Sequence, residues 1–230
     1  MPDRNKSFKV HDEGLKVIYG NVRSFKSSYR KKQYLMNNAY IEGADLIMIS
    51  ESGFVEGAQP YIDGYTQCGN VPKPIENLNS NYYTGGVAAW LSKESKSKVL
   101  YRDQYNHIKG LQVLKVVMDA GAEIMCFYRS PNQSKEEIEE TIEFFKKIPD
   151  RTILVGDLNI PEADWITNEI LKNKGCKNRN EKEDLILTLT IESDRLQKVN
   201  FATNKFNDNI LDVLMVPNTK TINPIRPDPL

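Results

Sequence analysis

Short apolar segments separated by polar ones recur along the whole chain, and this pattern predicts a protein built mainly of buried strands. Runs of about four to eight apolar or β-branched residues are typical of strands with two buried faces. We predict strands at 15–19, 45–50, 86–92, 97–101, 111–118, 123–128, 152–155, 196–201 and 210–216. Residues 1–14 are polar and are predicted to be a disordered tail, whereas 53–83, rich in Gly, Pro, Asn and Tyr, are predicted to be a long loop.

Helical spacing of apolar residues predicts helices at 27–41, 162–172 and 182–192, and a further one that begins at Ser134 and ends before Pro149. Ser134 and Glu137 have the spacing of a capping box, in which each side chain accepts a hydrogen bond from the backbone N–H of the other residue. Strands and helices do not alternate regularly, and the middle strands are typical of hairpins. The sequence therefore predicts an α+β protein of mixed, layered sheets with helices packed outside.

Composition narrows the class of protein. The chain has 230 residues, 40% of them hydrophobic and 27% charged, as in a soluble protein with one large domain, here predicted over 15–230. The charges balance, with 31 Lys+Arg and 31 Asp+Glu, which excludes a globally basic nucleic-acid binder. A local basic cluster at 23–32 remains, either a phosphate contact or a solvated helix face.

The same composition predicts a location. The chain has neither a run of about 20 apolar residues nor an apolar N-terminal segment, so we expect no membrane partner and no secretion. Its three cysteines are widely spaced, which favours a reducing compartment over a disulfide framework or a zinc site. The predicted location is therefore nuclear or cytoplasmic.

Polar residues follow several predicted strands where no core requires them. They are Asn21, Glu51, Tyr128, Arg129, Asp157 and Asn159, with Asp212 inside an otherwise aliphatic run. Taken singly, each has an ordinary structural reading, such as a turn residue, an exposed strand end or an Asx turn. Taken together, the three carboxylates would repel one another unless a cation offsets their charge. Oxygen ligands of this kind favour Mg²⁺, Mn²⁺ or Ca²⁺.

The ordered series of motifs resembles the endonuclease/exonuclease/phosphatase family. The series comprises Asn21, 49–52 (ISES), 85–87 (GGV), 128–131 (YRSP), 156–159 (GDLN) and 211–212 (LD). The resemblance implies a four-layered α/β sandwich, with two mixed sheets flanked by helices, that cleaves phosphoester bonds with Mg²⁺ or, as a substitute, Mn²⁺. The segments 21–24 (NVRS), 156–165 (GDLNIPEADW) and 197–213 are similar to the endonuclease domain of non-LTR retrotransposons. This narrower resemblance implies a DNA-nicking enzyme whose partners are DNA and, in the intact polyprotein, a reverse transcriptase.

The resemblance also implies a role for each residue. Glu51 is expected to be the main Mg²⁺ ligand, with Asn21 supporting the metal and the scissile phosphate. Tyr128 is expected to steady the phosphate or the leaving group, Asp157 to activate water, and Asn159 to hold a phosphate oxygen. The remaining expectations are that Asp212 orients a catalytic histidine and that Arg23, Arg129 and Thr203 contact the substrate.

That histidine is absent from its expected position. The family pattern closes with Ser-Asp-His on a last strand, and neither His11 nor His107 occupies that place. We therefore expect a C-terminally truncated domain without its last strand and with weak or no activity. Two alternatives stay open: a phosphatase of a small phosphate ester on the same fold, and a non-catalytic vestigial retroelement fragment. Aromatic and basic residues around 23–32 and 79–83 favour a polynucleotide, whereas a deep polar pocket would favour a small substrate.

Overall fold

The computed structural model describes residues 7–12, 14–23, 25, 29–73, 85–171, 175–203, 209–220 and 222. They form two large mixed sheets, a small ribbon and flanking helices. The strands are β1 (Ser7–Asp12), β2 (Leu15–Asn21), β3 (Leu46–Ser50), β4 (Tyr65–Val71), β5 (Val87–Ser92), β6 (Val99–Tyr105), β7 (Leu111–Met118), β8 (Glu123–Arg129), β9 (Ile153–Asp157), β10 (Ala163–Asp164), β11 (Glu169–Ile170), β12 (Arg195–Gln197) and β13 (Asp212–Pro217). The helices are α1 (Tyr29–Ile41), α2 (Lys135–Lys146) and α3 (Arg179–Leu187), and a π-helical turn over Thr188–Glu192 continues α3.

The two large sheets share a design in which a parallel pair lies at the centre. The five-stranded sheet has the order β1-β2-β3-β5-β4, with β2 and β3 parallel. The six-stranded sheet has the order β12-β13-β9-β8-β7-β6, with β8 and β9 parallel. The other neighbours in both sheets run antiparallel.

The main core lies between the sheets. Alternate residues of each central strand face the other sheet, as the two-residue period of a strand requires. Tyr19 and Met48 of the first sheet belong to this core, together with Cys126 and Val155 of the second. Because the opposite faces are covered as well, all five residues of β3 are buried, which explains the unbroken apolar runs.

Helices cover both outer faces. Leu35 and Ala39 of α1 pack on the first sheet with an aromatic group of Phe25, Phe54 and Trp90, whose Phe25 and Trp90 ring centroids are 5.7 Å apart. On the second sheet, α2 and α3 bury their apolar faces against β8 and β9. The predicted capping box at the start of α2 is present in both directions. The fold is thus the predicted sandwich of helix, sheet, sheet and helix.

Two segments expected to lack regular structure form strands. Residues 7–12 of the predicted tail pair antiparallel with β2 as β1. The predicted loop contains β4, which pairs with β5. Several side chains of β4 (YTQCGNV) are partly exposed, so its sequence contains polar residues and lacks the apolar run that predicts a buried strand. Its Gly69 leaves room for Leu114, whose side chain would lie 2.4 Å from an added Cβ.

The predicted helix at 162–172 is wrong. Its described part forms the ribbon of β10 and β11, and residues 172–174 lie outside the described residues. The Asp164 carboxylate accepts hydrogen bonds from the amides of Ile166 (2.9 Å) and Thr167 (3.4 Å). Together with the left-handed backbone of Asn168 (φ 58°), this local turn competes successfully with the helix. Residues 223–230, where the prediction of a missing last strand falls, also lie outside the described residues.

Candidate active site

The polar strand ends meet at one edge of the sandwich. Asn21 closes β2 opposite Ser50 of β3, directly before Glu51. In the second sheet, Asp157 at the end of β9 lies beside Tyr128 of β8 on one side and Asp212 of β13 on the other. Asp212 reaches the same edge because β13 begins there and runs antiparallel to β9. Residues spread over most of the chain thereby converge.

One amide group connects the two sheets. The Asn21 side-chain Nδ2 donates to Glu51 Oε1 at 2.9 Å and to Asp157 Oδ2 at 2.6 Å. Asn21 Oδ1 accepts from the backbone amide of Arg23 at 3.2 Å, which orients the side chain. Glu51 has a left-handed backbone (φ 50°), an uncommon conformation for a non-glycine residue that turns its side chain at the strand end.

The turn after β9 aims two side chains at this place. Gly156 must be glycine, because an added Cβ would lie 2.2 Å from the Phe127 carbonyl oxygen of β8. Asp157 Oδ1 accepts from the Asn159 backbone amide at 2.9 Å, and the Asn159 backbone is left-handed (φ 52°). Leu158 between them is anchored in the core and donates its amide to the Leu211 carbonyl at 2.9 Å. The motif is therefore a rigid corner.

The site concentrates negative charge in a desolvated place. Asp157 and Asp212 are only 1% and 5% exposed. Burial, the charge of Asp212 and the charge of Glu51 raise the pKa of Asp157 well above its usual range. Burial raises the pKa of Asp212 to about 7, although hydrogen bonds from Tyr19 and Thr203 act in the opposite direction. Such mutual repulsion is what a bound cation would relieve.

Tyr19 and Ser50 belong to the site and were not predicted. The Tyr19 hydroxyl donates to Asp212 Oδ1 at 2.8 Å and lies 2.7 Å from Ser50 Oγ. Both side chains are completely buried. The signal in the sequence was present but weak: Tyr19 precedes Asn21 by two residues and so shares its face of the strand.

Replacement of Tyr19 by phenylalanine tests this chain of hydroxyl groups. It removes the hydroxyl group that donates to buried Asp212 and contacts Ser50, so the free energy of unfolding is expected to fall by about 1–3 kcal/mol. Urea denaturation followed by circular dichroism measures the change. Tyr61→Phe is the matched control, because the Tyr61 hydroxyl donates to Asp63 at an exposed position. Equal stability of the two variants would show that the buried hydroxyl contributes nothing.

Solved structures share this architecture. No protein-family model matches the sequence, and a search of curated proteins finds no match. An AP endonuclease from Leishmania major is 12% identical with a TM-score of 0.60, over 91% of this chain and 80% of that chain. A 3′ phosphatase from Neisseria, bound to product DNA hairpin, is 12% identical with a TM-score of 0.57, over 89% and 87%. An endonuclease/exonuclease/phosphatase family protein from Leptotrichia buccalis is 14% identical with a TM-score of 0.50, over 87% of each chain.

The chain has the endonuclease/exonuclease/phosphatase fold. The residues expected from the resemblance to that family converge as described, with Asn21, Glu51, Asp157, Asn159 and Asp212 at one edge. Tyr128 is 5% exposed and lies at the same edge, where it also lines a neighbouring cavity. The roles inferred for these residues remain predictions.

Asp212, Thr203 and Arg23 have contacts that bear on their expected roles. Asp212 was expected to orient a histidine, but its Oδ1 accepts from Tyr19, and the His107 ring packs 6.1 Å from Tyr105 after β6. Thr203 Oγ1 accepts from the amides of Leu211 (2.9 Å) and Asp212 (3.0 Å), so it supports the start of β13. Arg23 is exposed at the edge and acts electrostatically on Asp212.

The prediction that Arg129 contacts the substrate is wrong. Its side chain is completely buried, since the arginine follows Tyr128 on β8 and therefore points to the opposite face of the sheet. The guanidinium donates to the Leu158 carbonyl at 2.9 Å, underneath the turn that carries Asp157.

A divalent cation fits the chemistry of this edge. The available donors are carboxylate and amide oxygens, the ligands that Mg²⁺ prefers. Within the described part of the chain, no group of three His, Cys, Asp or Glu side chains is arranged to hold a metal ion. Carboxylate oxygens are also the donors of ions that bind one or two carboxylates and keep several waters. Separately, no helix among the described residues is long and apolar enough to cross a membrane.

Proposed function

We propose that this protein is a Mg²⁺-dependent phosphoester hydrolase that nicks the DNA backbone. The observation that carries the proposal is the Asn21 amide, which joins the Glu51 carboxylate of one sheet to the Asp157 carboxylate of the other. This half-buried asparagine at a strand end holds the two carboxylates next to each other through one amide nitrogen. Such a pair allows one acid to bind a cation while the other handles a proton.

Glu51 would hold the metal, with Mn²⁺ as a substitute, and Asn21 would support the site by orienting the Glu51 carboxylate through its amide nitrogen. When bound, Mg²⁺ supplies electrophilic stabilisation of charge on the phosphate oxygens. It also offsets the repulsion that raises the pKa of Asp157.

The protein residues provide the remaining chemistry. In its ionised form the Asp157 carboxylate orients a water molecule and accepts a proton from it during attack on phosphorus. The Asn159 side chain and the Tyr128 hydroxyl donate to phosphate oxygens as charge develops on them. The water oxygen forms the new P–O bond, the bond to the leaving oxygen breaks, and the leaving oxygen takes up a proton.

DNA as the substrate and a retroelement as the source rest on the motif resemblance. Two proteins of the same fold are an AP endonuclease and a 3′ phosphatase bound to product DNA hairpin, which supports a nucleic-acid substrate. In this role the partner is a reverse transcriptase domain, and the working location is nuclear or cytoplasmic. Of the basic and aromatic segments that favour a polynucleotide, 79–83 and parts of 23–32 lie outside the described residues.

Metal removal tests the proposal directly. Supercoiled plasmid incubated with the purified chain and Mg²⁺ is expected to become nicked circles, whereas excess EDTA reduces nicking to the rate without protein. Added Mn²⁺ is expected to restore the activity. Nicking that persists in EDTA would contradict a metal-dependent mechanism, and no nicking under any condition would favour the vestigial alternative.

A second candidate function, hydrolysis of a small phosphate ester, is favoured by a cavity next to Tyr128. The cavity has a volume of about 1190 Å³. Six amide side chains line it: Asn70, Gln104, Asn106, Gln112, Asn132 and Gln133. The lining carries two lysines and two glutamates (Lys73, Lys109, Glu56 and Glu137), of which Lys109 and Glu137 form an ion pair at 3.4 Å. An amide-rich cavity without a net positive charge suits a polar group attached to a single phosphate better than a polyanionic backbone.

Relative rates separate the two candidates. A DNA-nicking enzyme is expected to cut plasmid efficiently and to release little phosphate from a panel of nucleoside and sugar monophosphates. The reverse preference, with phosphate released from one member of the panel and intact plasmid, would assign the small-ester function. Phosphate release is measured by a colorimetric assay and nicking by agarose gel under the same Mg²⁺ concentration.

A further inference from the structure

A buried cation lies directly beneath the candidate site. Arg129 is completely inaccessible to solvent, and burial lowers its pKa to about 10, which leaves the guanidinium charged at neutral pH. A buried charge costs several kcal/mol unless other groups compensate it. Among the described residues, Arg129 Nε and Nη2 have no hydrogen-bond partner, so backbone bonding alone does not explain why the fold holds a cation here.

Arg129 and the turn after β9 bind each other in both directions. Arg129 Nη1 donates to the Leu158 carbonyl at 2.9 Å, and Asn159 Nδ2 donates to the Arg129 carbonyl at 2.7 Å. This reciprocal clamp closes around Asn159, whose left-handed backbone is uncommon but is adopted by asparagine more readily than by other non-glycine residues. The clamp therefore holds from outside a turn whose local hydrogen bond runs from the Asn159 amide to Asp157.

Electrostatic attraction also connects Arg129 to the candidate site. Among the charged groups near Arg129, Asp157 interacts most strongly with its guanidinium and Glu162 comes next. The Asp157 carboxylate thus has a fixed, buried positive charge on the inner side of its turn. A neutral side chain of similar length would fill the same space without this effect.

We propose that Arg129 is a positioning residue, which fixes the Leu158–Asn159 turn and offsets the Asp157 charge from the inner side of that turn, so that Asp157 and Asn159 keep their reactive orientation. The expected loss of kcat rests on the proposed hydrolase function. The expected fixing of the turn does not. Since Arg129 cannot touch the substrate, its replacement changes kcat and leaves KM nearly constant.

Arg195 offers a matched control. It is 3% exposed, and its guanidinium donates to the carbonyl groups of Thr152 (3.2 Å) and Pro149 (2.7 Å). These carbonyls lie before β9, whereas Arg129 binds the turn after it, so the two arginines hold opposite ends of one strand. A purely structural role would make them equivalent.

The experiment compares Arg129→Met, Arg129→Lys and Arg195→Met by amide hydrogen exchange and by steady-state kinetics. In both Arg129 variants, exchange across 157–160 is expected to rise at least several-fold over wild type, and in Arg195→Met it stays unchanged. The kcat of Arg129→Met is expected to fall about 10²-fold, because small misplacements of reacting groups have effects of that size. Arg129→Lys keeps the charge and is expected to lose about tenfold.

Each outcome has a defined meaning. Wild-type exchange across 157–160 in Arg129→Lys, together with wild-type kcat, overturns the proposal even if Arg129→Met does not fold. Equal effects of the Arg129 and Arg195 substitutions on this segment also overturn it, since they indicate general destabilisation. Faster exchange without any hydrolysis by the wild type keeps the positioning role and rejects the proposed function instead.

Discussion

Replacement of Asp157 by asparagine is expected to lower kcat for phosphoester hydrolysis by about 10³–10⁴-fold, the upper range for loss of a positioned acid–base group. The substitution is nearly isosteric, and one side-chain oxygen can still accept the hydrogen bond from Asn21 or from the Asn159 amide. It removes the carboxylate that accepts the proton from water. The effect is therefore expected in kcat, with the fold preserved.

Plasmid nicking and phosphate release with Mg²⁺ measure this effect, and circular dichroism checks the fold. Asp119→Asn is the matched control because Asp119 is exposed at a hairpin end away from the site. If Asp157→Asn retained more than about a tenth of wild-type kcat, the proton would have another acceptor, and the general-base role of Asp157 would have to be abandoned.

Replacement of Gly156 by alanine is expected to destabilise the protein by about 3 kcal/mol or more, beyond the usual range for overpacking, because the clash is with backbone. An added Cβ would lie 2.2 Å from the Phe127 carbonyl oxygen and 2.8 Å from Phe127 Cγ. Strands β8 and β9 are hydrogen-bonded through this point, so neither can retreat without breaking the parallel pair. The clash also lies one residue before Asp157, so any folded fraction is expected to be inactive.

Urea denaturation of Gly156→Ala measures the loss, with Gly175→Ala as the control. A Cβ on Gly175 meets nothing within 4 Å, so this substitution is expected to be neutral or slightly stabilising. Similar unfolding midpoints for the two variants would mean that β8 and β9 can separate at low cost. The rigid corner described for residues 156–159 would then be untenable.

Local sequence was sufficient for most of the sandwich. The strands with two buried faces, such as β3 and β9, are short apolar runs, and the capping box of α2 is a local pattern that needs no tertiary contact. Prediction failed where the pattern was weak or ambiguous. β4 is only half buried and contains a glycine, and the segment with the Asp164 turn has helical spacing of its apolar residues but local polar bonds that oppose a helix.

The residues of the candidate site likewise include some that the sequence indicates and some that it does not. Asn21, Glu51, Asp157 and Asp212 could be selected from the sequence because each is a polar residue at or within an apolar strand. Tyr19 and Ser50 could not, because a hydroxyl group is tolerated in a strand whatever its partner. Only the packing of the two sheets shows that the Tyr19 hydroxyl donates to Asp212 across the interior.

Apolar patterning was enough to predict layered sheets with helices outside and the strand ends that carry polar groups, because both follow from the period of apolar residues and from where the strands end. The contacts of each polar group at that edge depend instead on how the two sheets pack. Arg129 illustrates the reason: one residue along β8 reverses the face, so a side chain that looks available to substrate is buried beneath the turn it supports. Which face of a strand meets the second sheet depends on long-range packing, and no local pattern encodes it.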